Sequence, residues 1–96
     1  MELRVQLFPP LNNTAGCDWV RLSLPAPATL RSVIDALVER FGAQFRRHLY
    51  DTEERFVPAW CAFVNGKPIQ LNRSEALSTE LKDGDEIALL LNLAGG

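Results

Sequence analysis

Residues Ile87 to Leu91, "IALLL", form the stretch of the sequence that decides its fold. Successive side chains of a β-strand point to opposite faces of the sheet, so an uninterrupted apolar run is buried on both faces. Such runs are typical of strands in the interior of a sheet. We therefore predict that the last strand of this chain lies inside its sheet rather than at the margin.

Two further strands are predicted near the amino-terminal end, each with apolar and polar residues in alternation. Their apolar members are Leu3, Val5, Leu7, Val20, Leu22 and Leu24. A period of two indicates a half-buried strand. The turn-rich segment "LNNTAG", residues 11–16, predicts a loop between them. The two strands are expected to pair as an antiparallel hairpin.

A helix is predicted after the second strand, because apolar residues recur at helical spacing. They are Leu30, Val33, Ile34, Leu37, Val38 and Phe41. Thr29 is a candidate N-cap and Gly42 a candidate residue for the helix end. The apolar stripe is expected to cover the protein's own sheet, because two layers are needed to make a core.

The second half of the chain predicts a short helix and a hairpin. The segment "AQFRRHLYD" can form a helix with Phe45 and Leu49 pointing inward, and "TEERFVP", residues 52–58, predicts an exposed loop. Asn65-Gly66 supplies the positive φ angles of a tight hairpin turn. Pro68 places the return strand at a sheet edge, because proline has no amide proton to donate.

These elements define a fold when the last strand is placed at the centre of the sheet. It must then return beside the first strand, and a parallel pairing is expected because the intervening chain contains a crossover helix. The sequence thus predicts an α+β protein with a mixed five-stranded sheet packed on one main helix. This arrangement is the β-grasp, or ubiquitin-like, fold.

Composition argues against several functional classes. The formal net charge of −2 does not favour nucleic-acid binding. No apolar run is long enough to span a bilayer, and no targeting signal is recognisable, which predicts a cytoplasmic protein without a membrane partner. Cys17 and Cys61 fit no metal-ligand spacing, so no metal site is expected, and both are interpreted as buried or half-buried thiols.

Enzyme signatures are equally scarce. His48 is the only histidine and is interpreted as a surface residue rather than a catalytic base. Asp83, Asp85 and Glu86 cluster at a turn, where solvent would keep their carboxyl groups from the desolvation that acid–base catalysis needs. The six glycines match no phosphate-binding spacing. We therefore expect a protein that is not an enzyme by itself.

The remaining chemical candidate is the end of the sequence, "NLAGG". Residues 92–96 are predicted to be a flexible tail that follows a β-grasp domain of residues 1–91. Gly95 and Gly96 have no Cβ atom, so they fit a narrow channel in another protein. The alternative is that the tail is an inert terminus.

The motifs of the chain, taken in order, resemble the ubiquitin-like sulfur carriers of the MoaD/ThiS type. The similar elements are Val64-Asn65-Gly66, the bend "LKDGDE" from Leu81 to Glu86, and the terminal Gly95-Gly96. In the opening loop, Phe8, Leu11 and Ala15-Gly16 also match. The length is most similar to that of the small subunit of molybdopterin synthase. Before the terminal glycines, the chain has Asn92-Leu93-Ala94 where many members of the family have a segment that contains proline.

The resemblance implies a sulfur-carrier cycle. An E1-like enzyme would adenylate the Gly96 carboxylate with ATP, and a sulfur donor would convert it to a thiocarboxylate. The acceptor would be a biosynthetic enzyme such as the large subunit of molybdopterin synthase. No cofactor would be bound, because the activating partner consumes the ATP. Partners would contact the sheet face away from the helix and the tail, with Phe8, Leu93, Ala94 and Gly95 as binding residues.

Three alternatives stay open at this point. The activated Gly96 could form isopeptide bonds with lysines, which would make the protein a modifier. The sulfur could also serve thiamine, cysteine or tungsten-cofactor synthesis instead of molybdopterin. The same fold with an inert tail would be a plain binding module.

Overall fold

A computed structural model describes residues 1–91 of the chain. The strands, in chain order, are β1 (Glu2–Leu7), β2 (Trp19–Ser23), β3 (Ala28–Thr29), β4 (Trp60–Val64), β5 (Lys67–Gln70), β6 (Glu80–Leu81) and β7 (Glu86–Leu91). The α-helices are α1 (Leu11–Ala15), α2 (Leu30–Phe41) and α3 (Ala43–Leu49). A single 3₁₀ turn covers Ala76–Ser78.

The main sheet has five strands in the order β2-β1-β7-β4-β5. Strand β7 is therefore central, and it runs parallel to β1, with Val5 opposite Ile87. The remaining neighbours are antiparallel. The predicted β-grasp topology is confirmed, including the return of the last strand beside the first. The predicted tail, residues 92–96, lies outside the described residues, so the proposed domain boundary stays a prediction.

The core lies between the inner face of this sheet and the helices. Side chains of β1 and β7 that face α2 are fully buried, among them Val5 and Leu89. Helix α2 contributes its apolar stripe, of which Leu30, Val33, Ile34 and Leu37 are buried. Phe45 and Leu49 of α3 are also buried, as predicted. The two layers thus bury each other's apolar faces, which is the main source of stability for a domain of this size.

Both ends of α2 form as the sequence predicts. Thr29 and Ser32 make a capping box, with the Thr29 hydroxyl accepting from the Ser32 amide and the Ser32 hydroxyl accepting from the Thr29 amide. Gly42 follows the helix with φ of +90°, a conformation that glycine adopts without steric cost. The helix therefore begins and ends at residues whose local chemistry specifies those positions.

Three local predictions were wrong. Residues 11–16 are not a plain loop, because Leu11 is buried and Leu11–Ala15 forms the short helix α1. The segment "LSTELKDGDE", residues 77–86, is predicted from its sequence to be a polar bend, but it contains β6, which pairs with β3 in a second, two-stranded sheet. In the segment predicted as an exposed loop, Phe56 is buried and its backbone bridges to Tyr50.

Candidate functional site

Strand β7 leads the chain toward its predicted reactive end. Leu91, the last residue of β7, lies opposite Trp60 at the beginning of β4. Trp60 is buried, and its indole N–H donates a hydrogen bond of 2.6 Å to the His48 carbonyl oxygen. The central strand is thereby held by β4 up to its final residue, whereas its pairing with β1 ends at Leu89. The predicted site residues Leu93, Ala94, Gly95 and Gly96 lie outside the described residues.

The outer face of the sheet, away from the helices, carries a group of apolar side chains that we call the outer apolar patch. Its members are Phe8, Trp19, Phe63, Ala88 and Leu90. Trp19 is the exposed large hydrophobic residue of the described chain, with 43% of its surface accessible, and the others are half-buried. None of these five belongs to the side chains that pack against the core cluster.

The strand register brings these residues together. Gln6 of β1 lies between Trp19 of β2 and Ala88 of β7, and Ala88 in turn lies opposite Phe63 of β4. Leu90 follows two residues later on the same face, nearer the end of β7. The patch therefore occupies the half of the outer face that is closer to the predicted tail.

A shallow depression of about 260 Å³ lies at the border between the outer apolar patch and the polar part of the face, to which Asn65 and Glu86 belong. Trp19 and Phe63 form two of its sides, and Gln6 and Ala88 lie between them. Apolar surface of this kind is a typical contact area for another protein, since large exposed aromatic side chains are enriched at the centres of interfaces.

The other half of the outer face is polar. Arg4 donates from Nη1 to the Glu86 carboxylate over 2.9 Å, and its guanidinium carbon lies 4.7 Å from the centroid of the Trp19 ring. Arg4 therefore connects the charged half of the face to the outer apolar patch. Both partners of the ion pair are more than half exposed, so the contact orients the side chains more than it stabilises the fold.

Phe8 is the one predicted binding residue inside the described part of the chain. Its amide donates to the Leu89 carbonyl oxygen over 3.2 Å, which continues the parallel ladder beyond β1. This continuation places Phe8 on the face opposite to the buried Leu7, as expected. Its contact with a partner stays a prediction.

The sequence analysis did not nominate Trp19, Phe63, Ala88 or Leu90. The available signal was that the strands around β7 have a second apolar face. This pattern indicated the position of β7 in the sheet, but it was not used to predict a binding surface. Which of two apolar faces is covered by helices depends on the pairing register. The register became known only from the fold.

Other candidate groups lie apart from this surface. His48 is half-buried rather than fully exposed, and its Nε2 lies 2.8 Å from the Thr14 hydroxyl. Cys17 is half-buried and Cys61 buried, both as free thiols, as predicted. Among residues 1–91, no cluster of histidine, cysteine and acidic side chains has the arrangement of a metal site.

The described helices also bear on membrane insertion. None of the helices within residues 1–91 combines the length and the apolar character that crossing a bilayer requires.

Three side chains have displaced pKa values, all outside the outer apolar patch. Burial, followed by the charge of Asp35, raises the pKa of Tyr50. Hydrogen bonds from backbone amides, chiefly that of Arg55, lower the pKa of Asp51. The hydroxyl of Ser74 lowers the pKa of Glu75. The shifts of Asp51 and Glu75 arise from neighbours in the loops, whereas that of Tyr50 arises from its burial and from Asp35 in α2.

Comparison with known proteins places this chain in a family. The class is that of ubiquitin-like β-grasp proteins, and residues 5–96 match the ThiS family. The chain therefore belongs to the ThiS family, and the resemblance to MoaD/ThiS-type sulfur carriers is confirmed. No curated protein sequence matches the chain.

Solved structures with the same fold include three informative relatives. Small archaeal modifier protein 1 from Methanosarcina acetivorans is 26% identical, with a TM-score of 0.77 over 99% of this chain and 96% of that one. A chain of the BexX/CysO complex from Amycolatopsis orientalis is 26% identical, with a TM-score of 0.68 over 98% and 99%. A putative molybdopterin converting factor, subunit 1, from Pyrococcus furiosus is 24% identical, with a TM-score of 0.70 over 97% and 99%.

Proposed function

We propose that this protein is a sulfur carrier whose Gly96 carboxylate is the reactive group. The observation that carries the proposal is the match to the ThiS family, which extends from residue 5 to Gly96 itself. The position of β7 supports it, because this central strand ends at Leu91, close to Gly96 in the sequence.

The chemistry requires a partner to activate the carboxylate. A C-terminal carboxyl group has a pKa of about 3.3–3.7, so at neutral pH it is an anion and a poor electrophile. An E1-like enzyme would join it to the α-phosphate of ATP, with release of pyrophosphate. Sulfide released by a sulfur donor would then attack the acyl carbon and displace AMP, leaving a thiocarboxylate. The carrier is thus a substrate of its partners rather than a catalyst.

The outer apolar patch supplies the docking surface in this proposal. It lies in the half of the sheet nearer the end of β7, so a partner that covers Trp19 and Phe63 would also be close to the tail. Phe8, Leu93, Ala94 and Gly95 would extend the contact toward Gly96. Five residues of extended chain reach at most about 17 Å. This length is the upper limit for the distance between the end of β7 and the active site of the partner.

For the destination of the sulfur, we propose molybdenum-cofactor synthesis, with the large subunit of molybdopterin synthase as the acceptor. The length of the chain supports this choice, and the converting-factor subunit from Pyrococcus furiosus shares the fold. The complex named BexX/CysO illustrates that another protein of this fold has been observed together with a partner.

Protein modification is the second candidate function. The relative from Methanosarcina acetivorans, which bears the name modifier protein, is as similar in sequence as the CysO-complex chain. In this case the same activated Gly96 would form an amide bond with a lysine of a target protein. The activation step is shared, and only the nucleophile differs.

Intact-mass measurement separates the candidates. The full chain is incubated with the E1-like enzyme of its own organism, ATP and a sulfide source. Replacement of one oxygen by sulfur supports the carrier function, and covalent conjugates to other proteins support the modifier function. A chain lacking Gly96 is expected to fold normally and to give neither product, whereas Ser23→Ala, at the far end of β2, is the matched control and should react fully. An unchanged mass with an enzyme shown to be active would contradict both functions.

A further inference from the structure

Strand β5 forms one margin of the main sheet, and its free edge has an unusual set of hydrogen-bonding groups. The Leu71 amide donates to the Trp60 carbonyl oxygen over 3.2 Å. Because antiparallel pairs alternate, the backbone groups of Ile69 also face β4. The backbone groups of Pro68 and Gln70 consequently point away from the sheet.

Within residues 1–91, only two of these outward groups have no hydrogen-bonding partner. Pro68 has no amide proton, and the Gln70 carbonyl oxygen accepts from the Arg73 amide over 3.3 Å. The Pro68 carbonyl oxygen and the Gln70 N–H remain, one on each side of Ile69.

The two open groups favour one strand direction. In an antiparallel pair, one residue offers both its N–H and its carbonyl to the neighbour, whereas Pro68 has no N–H and the Gln70 carbonyl oxygen already accepts from the Arg73 amide. In a parallel pair, each bonding residue of the neighbouring strand lies opposite one residue of β5. It donates its N–H to the carbonyl oxygen of the β5 residue before that one. Its own carbonyl oxygen accepts from the N–H of the β5 residue after it. The free edge of β5 can therefore accept a parallel segment, centred opposite Ile69.

A groove of about 700 Å³ lies beside this edge. Its apolar lining comes from Val64, Pro68, Ile69 and Ala76, and Lys67 and Arg73 are among its charged residues. An extended segment on β5 would direct alternate side chains toward the groove. An apolar side chain fits this lining.

The charge of the groove defines the occupant further. Within residues 1–91, neither Lys67 nor Arg73 has a carboxylate within ion-pair distance. The lining also includes the Glu75 carboxylate, which stays an anion while it accepts a hydrogen bond of 2.9 Å from the Ser74 hydroxyl. The cations of the groove thus outnumber its one anion, and Lys67 and Arg73 form no ion pair within residues 1–91, so the groove is complementary to a segment that carries acidic residues.

We propose that the β5 edge and its groove bind an extended segment of a partner protein. The segment lies parallel to β5, places an apolar side chain in the groove and an acidic side chain near Lys67 and Arg73. Main-chain hydrogen bonds to Pro68 and Gln70 supply part of the affinity, and the groove supplies the specificity. This surface is separate from the outer apolar patch and does not involve Gly96.

A library of short random peptides displayed on phage tests the proposal. The library is first depleted on the Gln70→Pro variant and then selected on the unmodified protein. Gln70→Pro removes an N–H that no described group accepts, and Gln70→Ala, which keeps this N–H, is the matched control. We expect enriched peptides with an apolar residue flanked by acidic ones. They should bind Gln70→Ala normally and Gln70→Pro about tenfold more weakly, because a main-chain hydrogen bond is lost and the ring obstructs the edge.

A second variant and an orientation measurement complete the test. Lys67→Glu, on the exposed rim, should weaken the same peptides about fivefold, since an attractive charge becomes repulsive. In nuclear magnetic resonance spectra, a spin label at the amino end of the peptide should broaden the Lys67 amide, and a label at the carboxyl end should broaden Gln70. This pair of measurements decides the outcome even if Gln70→Pro does not fold.

Several results would overturn the proposal. They are the absence of enriched peptides, equal binding to folded Gln70→Pro, an antiparallel orientation, and perturbation confined to the outer apolar patch or to an interface between two copies of the chain. Thiocarboxylate formation should be unaffected in Lys67→Glu, and a chain lacking Gly96 should still bind the peptides. The failure of this proposal and the failure of the sulfur-carrier function can therefore be distinguished.

Discussion

The side-chain amide of Asn65 donates to Asp85 Oδ1 over 2.8 Å, and so connects the β4–β5 turn to the residue that precedes β7. The carbonyl oxygen of the same side chain accepts from the Glu86 backbone amide over 3.0 Å. Asp85 uses its second oxygen to accept from the Lys82 amide. Two sequence motifs that are far apart along the chain are thus one structural unit, which fixes the beginning of the central strand.

Substitution of Asn65 should destabilise the fold through two separate effects. Asn65→Ala removes both side-chain hydrogen bonds and places alanine at φ of +51°. We expect the free energy of unfolding to fall by about 2–3 kcal/mol, because two hydrogen bonds are lost and alanine is strained in the left-handed backbone conformation. Urea unfolding followed by circular dichroism measures this change.

Asn65→Gly is the matched control, because glycine accepts the positive φ angle and removes only the side chain. Its free energy of unfolding should fall by about 1 kcal/mol, which is the contribution of the two side-chain hydrogen bonds at an exposed position. Equal losses in the two variants would contradict the contribution of backbone conformation. No loss in either would contradict the structural role of the Asn65 contacts.

The capping box of α2 gives a second prediction. Thr29→Ala removes the hydroxyl that accepts from the Ser32 amide, and should lower the free energy of unfolding by about 1 kcal/mol. Thr29→Ser keeps the hydroxyl and should retain most of this stability. A drop in stability that is as large for serine as for alanine would assign the effect to packing of the Thr29 methyl group instead.

The elements that could be predicted are those whose sequence pattern is distinct and depends only on residues close together in the chain. The alternation in β1, the stripe of α2 and the Asn65-Gly66 turn each specify their structure within a few residues. The central position of β7 followed from one further argument, that a strand with two apolar faces needs neighbours on both sides. These features were sufficient for the β-grasp topology.

The missed features depend on contacts between distant segments. Strands β3 and β6 have two residues each, too few to show any periodicity, and exist because Ala28 and Leu81 meet in the fold. Phe56 is buried because its ring packs against Tyr50, with 4.5 Å between the ring centroids. The outer apolar patch likewise required the register of four strands. In each case the deciding partner lies elsewhere in the chain.

The titration of Tyr50 gives a prediction on pH dependence. Its pKa is raised from the ordinary value of 10.0, first by burial and then by the charge of Asp35. Folding therefore favours the protonated phenol, and this contribution to stability is fully present below the pKa of the unfolded chain. It is lost as the pH rises through the higher pKa of the folded protein.

Tyr50 is the one tyrosine of the sequence, so an ultraviolet absorbance titration reports on it alone. The folded protein should ionise at a higher pH than the urea-unfolded protein. The unfolding midpoint should also fall less steeply above pH 10 in Tyr50→Phe than in the unmodified protein. Identical titration curves for folded and unfolded protein would contradict the environment described for this side chain.

The outer apolar patch predicts which substitutions impair activation without affecting the fold. Trp19→Ala should weaken binding to the E1-like enzyme by at least about tenfold, because exposed aromatic residues dominate the energetics of many interfaces. Arg21→Ala is the matched control, since Arg21 lies on the same strand and the same face but in the polar half. The two variants should unfold at similar urea concentrations, because both side chains are exposed.

Calorimetric titration of the enzyme with each variant measures the affinity, and the rate of thiocarboxylate formation measures the consequence. For Trp19→Ala, KM should rise while kcat changes little, because the patch contributes binding and Gly96 contributes the reacting atoms. A fall in kcat at unchanged KM would instead mean that Trp19 acts on the chemical step. Equal effects of the two variants would show that the partner recognises the charge of this face, through the Arg4–Glu86 side, and not its apolar half.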